Sequence, residues 1–150
     1  MVSLYERIWG GVVNNSGLSD YQTLILASLL ERETITDTEK PVVAGIILKR
    51  LDSGWPLQID ASVQYAVGTK TEWWPILTKD NLEIKSNYNT YANSGLPPTA
   101  IASPGLSSLK AAANPEESEY WYYIHDKDGK IHYAKTLSEH NANVRKYLGK

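Results

Sequence analysis

The segment SDYQTLILASLLERE, Ser19 to Glu33, sets the architecture of the chain. Ser19 followed by Gln22 is a capping-box pattern, in which each side chain binds the other residue's backbone N–H and so starts a helix. From Thr23 to Leu30 the run is apolar on nearly every side. A surface helix keeps one polar face, so this one is predicted to be central and buried, with Glu31 and Glu33 closing its final turns. The chain has 150 residues, 42% of them apolar. That is one domain's length, and a domain of that size hides roughly two-thirds of the surface its unfolded form exposes.

Downstream, Val42, Val43, Ile46, Ile47 and Leu51 repeat at helical spacing, with Thr36 or Thr38 as cap and Gly54 just past the end. Pro41 fits only the first turn, where its missing N–H has no partner to lose. Trp55 to Asp60 reads as extended, and Asp60 is placed to cap a short helix from Ser62 to Val67. Positions 69–105 carry Pro75, Gly95, Pro97, Pro98, Pro104 and Gly105, the punctuation of a long ordered loop with one short helix near Asp80 to Lys85. Leu106 to Ala113 is helical in composition and is stopped by Asn114 and Pro115. Glu119 to His125 and Lys130 to Ala134 flank a turn whose Asp128-Gly129 pair supplies positive φ, which predicts a β-hairpin. Thr136 and Glu139 form a second capping box, opening a terminal helix through Leu148. No repeat or linker interrupts residues 1–150. The expected fold is therefore a single α+β domain with a buried central helix, several further helices and a C-terminal β-hairpin.

Charge excludes one class of partner. Fifteen Lys and Arg stand against seventeen Asp and Glu, and no basic block appears, so nucleic acid is not expected to bind. With no cysteine, disulfides and thiolate metal sites are excluded. His125, His132 and His140 show no i, i+4 pair, and there is no GxSxG, Walker-type or GxGxxG motif, so neither a metal nor an organic cofactor is expected. Met1 to Tyr5 lacks the basic region of a signal peptide, and no apolar run approaches the ~18 residues of a membrane span. The aromatic supply is five Trp and ten Tyr without Phe. Such flat rings with polar edges pack cores, and they also line grooves that hold pyranose rings.

The acids carry the chemistry. A carboxyl group at the end of an aliphatic helix loses the hydration its charged form needs, so its pKa is expected to rise, which suits a general acid for glycosidic bonds. Periodicity does not separate the candidates: Glu31 projects between Leu24 and Ala27, and Glu33 between Leu26 and Leu29. Gln58 and Asp60 alternate on an extended stretch and point the same way, which makes Asp60 the second carboxylate of a possible pair. Asn87 to Tyr91 mixes amides and aromatics, a composition that fits sugar hydroxyls and N-acetyl groups.

Five blocks stand in order between about residues 19 and 147: LILASLLERET, VVAGIILKRL, PLQIDASVQYAVG, YNTYANSGLPPTAIASPGLSSLKAAANP and YWYYIHDKDGKIHYAKTLSEHN. Together they resemble the YceG-like family of membrane-anchored endolytic transglycosylases. The resemblance implies a lytic cut of the N-acetylmuramic acid to N-acetylglucosamine β-1,4 bond in nascent peptidoglycan, leaving 1,6-anhydro ends. It also implies that Glu31, first acid of the ERET block, is the general acid/base, and that Gln58, Asp60, Asn89, Tyr91, Pro97, Pro98 and Ile101 build the groove and place the substrate. Supporting roles fall to Glu33, His140 and Asn141. The partner implied is the peptidoglycan glycan strand, with penicillin-binding proteins near the longer protein at the outer face of the cytoplasmic membrane. Two other readings compete: a non-catalytic peptidoglycan-binding module, and a two-carboxylate hydrolase using Glu31 with Asp60. The chain departs from the pattern at Ala61-Ser62, where the family commonly has Pro-Thr, and at Trp73-Trp74-Pro75, an insert read as core packing. The family's N-terminal membrane helix and LysM-like subdomain are also missing, which makes Met1 the expected start of a truncated chain.

Overall fold

Ser19 starts the central helix as expected: its Oγ accepts the Gln22 N–H at 3.1 Å, and Gln22 Oε1 accepts the Ser19 N–H at 3.0 Å. In a computed structural model, which describes residues 10–150, this helix, α1, runs Asp20–Glu33. The leaderless opening read at Met1 to Tyr5 lies outside the described residues. Every residue from Ile25 to Leu30 is buried, so α1 is the central element its composition predicts. Each fully buried Leu of the set Leu26, Leu29 and Leu30 contributes about 1.5–3 kcal/mol of hydrophobic stabilisation.

Around α1 pack α2 (Lys40–Asp52), α3 (Asp60–Val67) and α4 (Leu106–Ala113), the last making the most extensive contact. Pro41 sits in the first turn of α2 and Gly54 follows its end at φ 71°. The capping expectations for α2 and α3 are corrected. Thr36 and Thr38 hydrogen-bond each other at 3.2 Å, and Glu39 precedes α2 without capping it, because its carboxylate accepts the Ile35 and Thr36 N–H groups and faces His125 Nε2 at 2.9 Å. Asp60 is not the cap of α3 but its first residue, since the Tyr91 hydroxyl has taken its carboxylate.

The long loop is ordered by internal ties, and its one short helix is a 3₁₀ turn at Asp80–Glu83. Thr90 binds the extended stretch ahead of α3, accepting Gln58 N–H through its carbonyl at 3.1 Å and Ile59 N–H through its hydroxyl at 2.8 Å. Ile101 N–H donates to Ser28 Oγ at 3.0 Å, pinning the loop to the middle of α1.

Strands β1 (Tyr122–His125) and β2 (Ile131–Ala134) pair antiparallel, with Tyr123 opposite Tyr133. Gly129, at φ 81°, closes the turn onto the Asp126 carbonyl at 3.0 Å. Thr136 caps α5 (Leu137–Asn143). The single terminal helix expected through Leu148 is corrected: from Val144 to Leu148 the turns widen to a π-helix. Among the described residues the architecture is mostly helical, five α-helices and this one hairpin, which narrows the α+β expectation to a helical domain carrying a two-stranded sheet.

Candidate active site

Positions 31 and 33 lie 200° apart around a helix, so the two acids at the end of α1 leave on opposite sides. Glu31 turns to the N-terminus of α4. Its Oε2 accepts the Ser108 hydroxyl at 2.6 Å and the Gly105 N–H at 3.1 Å, which caps a helix whose own cap residue, Gly105, has no side chain. The Ser108 bond, aided by the Gly105 N–H and Lys40, outweighs burial and holds the Glu31 carboxyl below its ordinary range. The expectation of a raised pKa for Glu31 is thereby corrected: two donors at the start of α4 hold its Oε2.

Glu33 meets the opposite circumstances. Its carboxyl is packed against the start of α3 and against β1, where Tyr123 donates its hydroxyl to Oε2 at 2.8 Å. Burial raises its pKa and the charge of Asp60 raises it further; the Tyr123 hydroxyl, the Ala61 N–H and His125 offset only part of this. Glu33 opens onto a cavity of about 400 Å³ whose polar walls include Gln58, Asp60, Tyr91, Arg50 and His140.

This cavity is built from distant segments. Gln58 enters at φ 53°, alone among the non-glycine residues described in having a positive φ, a strained backbone of the kind that clusters at functional sites. Tyr91 donates to Asp60 Oδ1 at 2.5 Å, and burial, then Asp60, lift its phenol well above the ordinary range, so it remains a donor. Arg50 anchors the hairpin through Trp121 O at 2.9 Å and the extended stretch through Pro56 O at 3.1 Å. His140 stacks on Tyr122 with ring centroids 4.9 Å apart. Burial, and the neighbouring Arg50 charge, push its pKa down, and its buried Nδ1 has no hydrogen-bond partner among the described residues.

Of the residues expected to meet substrate, Gln58, Asp60 and Tyr91 line this cavity together, with Glu33 and His140 from the supporting set. Glu31 and Ile101 instead line a separate aromatic cleft, so Glu31 and Asp60 are not brought together as a catalytic pair. Asn89 lies outside the lining of both clefts, in a turn. It is fully buried, its Nδ2 donates to Leu82 O and Ile84 O at 3.0 and 2.9 Å, and its Oδ1 accepts the Tyr91 N–H at 3.0 Å. Pro97 is buried, Pro98 is exposed with its carbonyl accepting the Tyr21 hydroxyl, and Asn141 is exposed beyond the cavity wall. Sequence reasoning missed Tyr123 and the cavity role of Arg50; strand alternation across Tyr122 to His125 was the available signal. Among the described residues no group of three or more His, Cys, Asp or Glu side chains is placed to hold a metal ion.

The YceG-like family model matches residues 2–146. The chain belongs to the YceG-like family. A Bacillus subtilis protein named endolytic murein transglycosylase is 37% identical over 144 residues, which are 96% of this chain and 39% of the relative. One of the same name from Streptococcus pneumoniae is 30% identical over 145 residues, covering 94% of this chain and 26% of its own length. The crystal structure of a yceG-like protein from Listeria monocytogenes superposes with a TM-score of 0.79 at 35% identity, over 92% of this chain and 43% of that one. This chain therefore spans less than half the length of these YceG-like relatives. No helix among the described residues is long and apolar enough to cross a membrane.

Proposed function

We propose that this chain is the catalytic domain of an endolytic murein transglycosylase and that Glu33, not Glu31, is its general acid and base. The observation that carries the reading is the raised Glu33 carboxyl lining a cavity that also holds Gln58, Asp60 and Tyr91. A carboxyl whose pKa is raised keeps its proton to higher pH than an ordinary one and can give it to the glycosidic oxygen as the bond to C1 of N-acetylmuramic acid breaks. The carboxylate so formed then takes the proton of the same sugar's O6 hydroxyl while O6 bonds to C1, leaving a 1,6-anhydro end and a free O4 hydroxyl on the partner sugar. No water is consumed, and the intramolecular nucleophile stands in for a second catalytic carboxylate.

The neighbours have matching roles. Tyr123 donates to Glu33 and steadies its ionised form between the two transfers. Asp60, held by Tyr91, opposes that ionised form and favours return of the proton. The substrate is a peptidoglycan strand, and the longer protein works at the outer face of the cytoplasmic membrane.

The test is the mass of the products. Purified glycan strands treated with the native protein give new ends without added water, and Glu33→Gln abolishes them while circular dichroism stays native. Loss of about 10²–10⁴ in rate is the usual contribution of a positioned acid. Full anhydro-product yield from Glu33→Gln refutes the assignment. Asp60 beside Glu33 favours one second reading, a two-carboxylate hydrolase, and products carrying one added water establish it in place of the lytic reaction.

A further inference from the structure

On the opposite flank of α1 from Glu33 lies a cleft of about 700 Å³, lined by Tyr65, Trp73 and Trp74 with Arg32, Thr69 and Lys70 among its polar groups. Trp73 is 71% exposed and Tyr65 44%. Two large rings presented to water beside a third form an apolar surface that a soluble protein rarely keeps without a use.

The rings are also fixed in place. Trp73 Nε1 donates to Lys70 O at 3.1 Å, within a turn where Thr69 and Glu72 exchange backbone bonds. The Arg32 guanidinium lies 3.7 Å from the centre of the Trp74 ring, and Tyr65 leans on Tyr88 at 5.1 Å. Gln64 Nε2 donates to Pro75 O at 3.0 Å, and a Cβ on Gly68 would stand 2.5 Å from the Trp73 carbonyl, so the insert is clamped onto the end of α3. The reading of Trp73-Trp74 as core packing holds for Trp74, which packs against the core, and fails for Trp73. A preformed surface loses little side-chain entropy on binding.

From this we infer a second glycan-binding site: the Tyr65–Trp73–Trp74 cleft holds pyranose rings of the strand away from the bond being cut. Rigid aromatic rings beside Arg32 and Lys70 fit a saccharide, whose C–H faces suit the rings and whose hydroxyl edges suit the cations. Both clefts meet the last turn of α1, Glu33 lining one and Glu31 with Arg32 the other. An anchor distant from the cut favours internal bonds of long strands over chain ends.

The inference rests on the proposed glycan substrate and on Glu33 as acid, because Glu31 lines this same cleft, and binding is measured apart from cleavage. Glycan strands freed of stem peptides are titrated into the Glu33→Gln protein, in which product formation does not consume them, by calorimetry and by NMR of the Trp73 indole N–H. The indole resonance moves on binding, Trp73→Ala in that background weakens binding about tenfold, and Trp73→Tyr recovers most of it. Because Trp73 is exposed, the Ala variant keeps its fold, and the indole shift needs no core substitution. Affinity within twofold of the parent in Trp73→Ala, an indole resonance unmoved at saturation, or no glycan binding at all overturns the second site. Retained anhydro-product formation in Glu33→Gln instead defeats the acid assignment and, with Glu31 lining this cleft, its separation from the bond being cut.

Discussion

Glu33→Gln changes stability as well as activity, in a direction fixed by the raised carboxyl. Burial and the Asp60 charge hold the Glu33 pKa above its ordinary 4.5, so between 4.5 and the folded value the native protein keeps a proton that the unfolded chain has released. The stability linked to that proton is fully present below about pH 4.5 and is lost as pH rises through the folded value. Gln has the same shape, still offers an oxygen to the Tyr123 hydroxyl and has no proton to lose. The two proteins therefore match in acid and diverge toward neutral pH, with the variant the more stable. Each unit by which the folded pKa exceeds the unfolded one corresponds to about 1.4 kcal/mol, or roughly 3–6 °C in melting temperature for a domain of this length. Thermal unfolding of both proteins, run side by side from about pH 4 to 8, measures the gap, and titrating groups not coupled to Glu33 cancel in the difference. A gap that stays flat, or that favours native Glu33 at neutral pH, means the carboxyl ionises normally and removes the physical basis for its role as acid.

Two substitutions around Glu33 are expected to move the pH profile of kcat/KM in opposite directions. Tyr123→Phe removes a donor that favours the carboxylate, so the alkaline limb shifts to higher pH; Asp60→Asn removes a repelling charge and shifts it lower, both read from anhydro-product release. Shifts of the same sign in the two variants contradict the cavity's electrostatics. Gly45→Ala in α2 places a Cβ 1.9 Å from the Glu116 carbonyl oxygen, in a segment tied back to Pro41 O at 2.9 Å, so the two backbones must separate. A loss of about 3 kcal/mol or more in urea unfolding is expected, and a midpoint equal to the parent's shows that the contact is not close.

The parts of the fold visible in the sequence were those fixed by neighbours along the chain. Ser19 and Gln22 lie one turn apart, the apolar run to Leu30 leaves α1 no polar face, and Asp128-Gly129 sets the hairpin register locally. The readings that changed were those where a distant group outcompeted a near one. Asp60 has the right spacing to cap α3, but Tyr91, 31 positions away, holds its carboxylate. Asn89 has the composition of a sugar contact, yet its amide is consumed by Leu82 O, Ile84 O and the Tyr91 N–H within its own turn. Nothing in the series Val144 to Leu148 announces a π-helix, since its apolar spacing continues that of α5.

Glu31 and Glu33 show the same limit at the point where it bears on chemistry. Both follow one aliphatic run, and periodicity says only that they diverge by 200°. What each meets is supplied from far along the chain: Gly105 and Ser108 for Glu31, Tyr123 and Asp60 for Glu33. To take a proton, Glu31 must give up a charged acceptor 2.6 Å from Ser108 and weaken its cap on α4, with no like charge relieved that outweighs those losses. A proton on Glu33 weakens its bonds from the Tyr123 hydroxyl and the Ala61 N–H and its attraction to His125, and the larger gain is the end of burying an ionised carboxylate opposed by Asp60. In the proposed mechanism two carboxyls two residues apart thus divide into a structural anion and a proton carrier, and the division is made by their partners rather than by the helix that bears them.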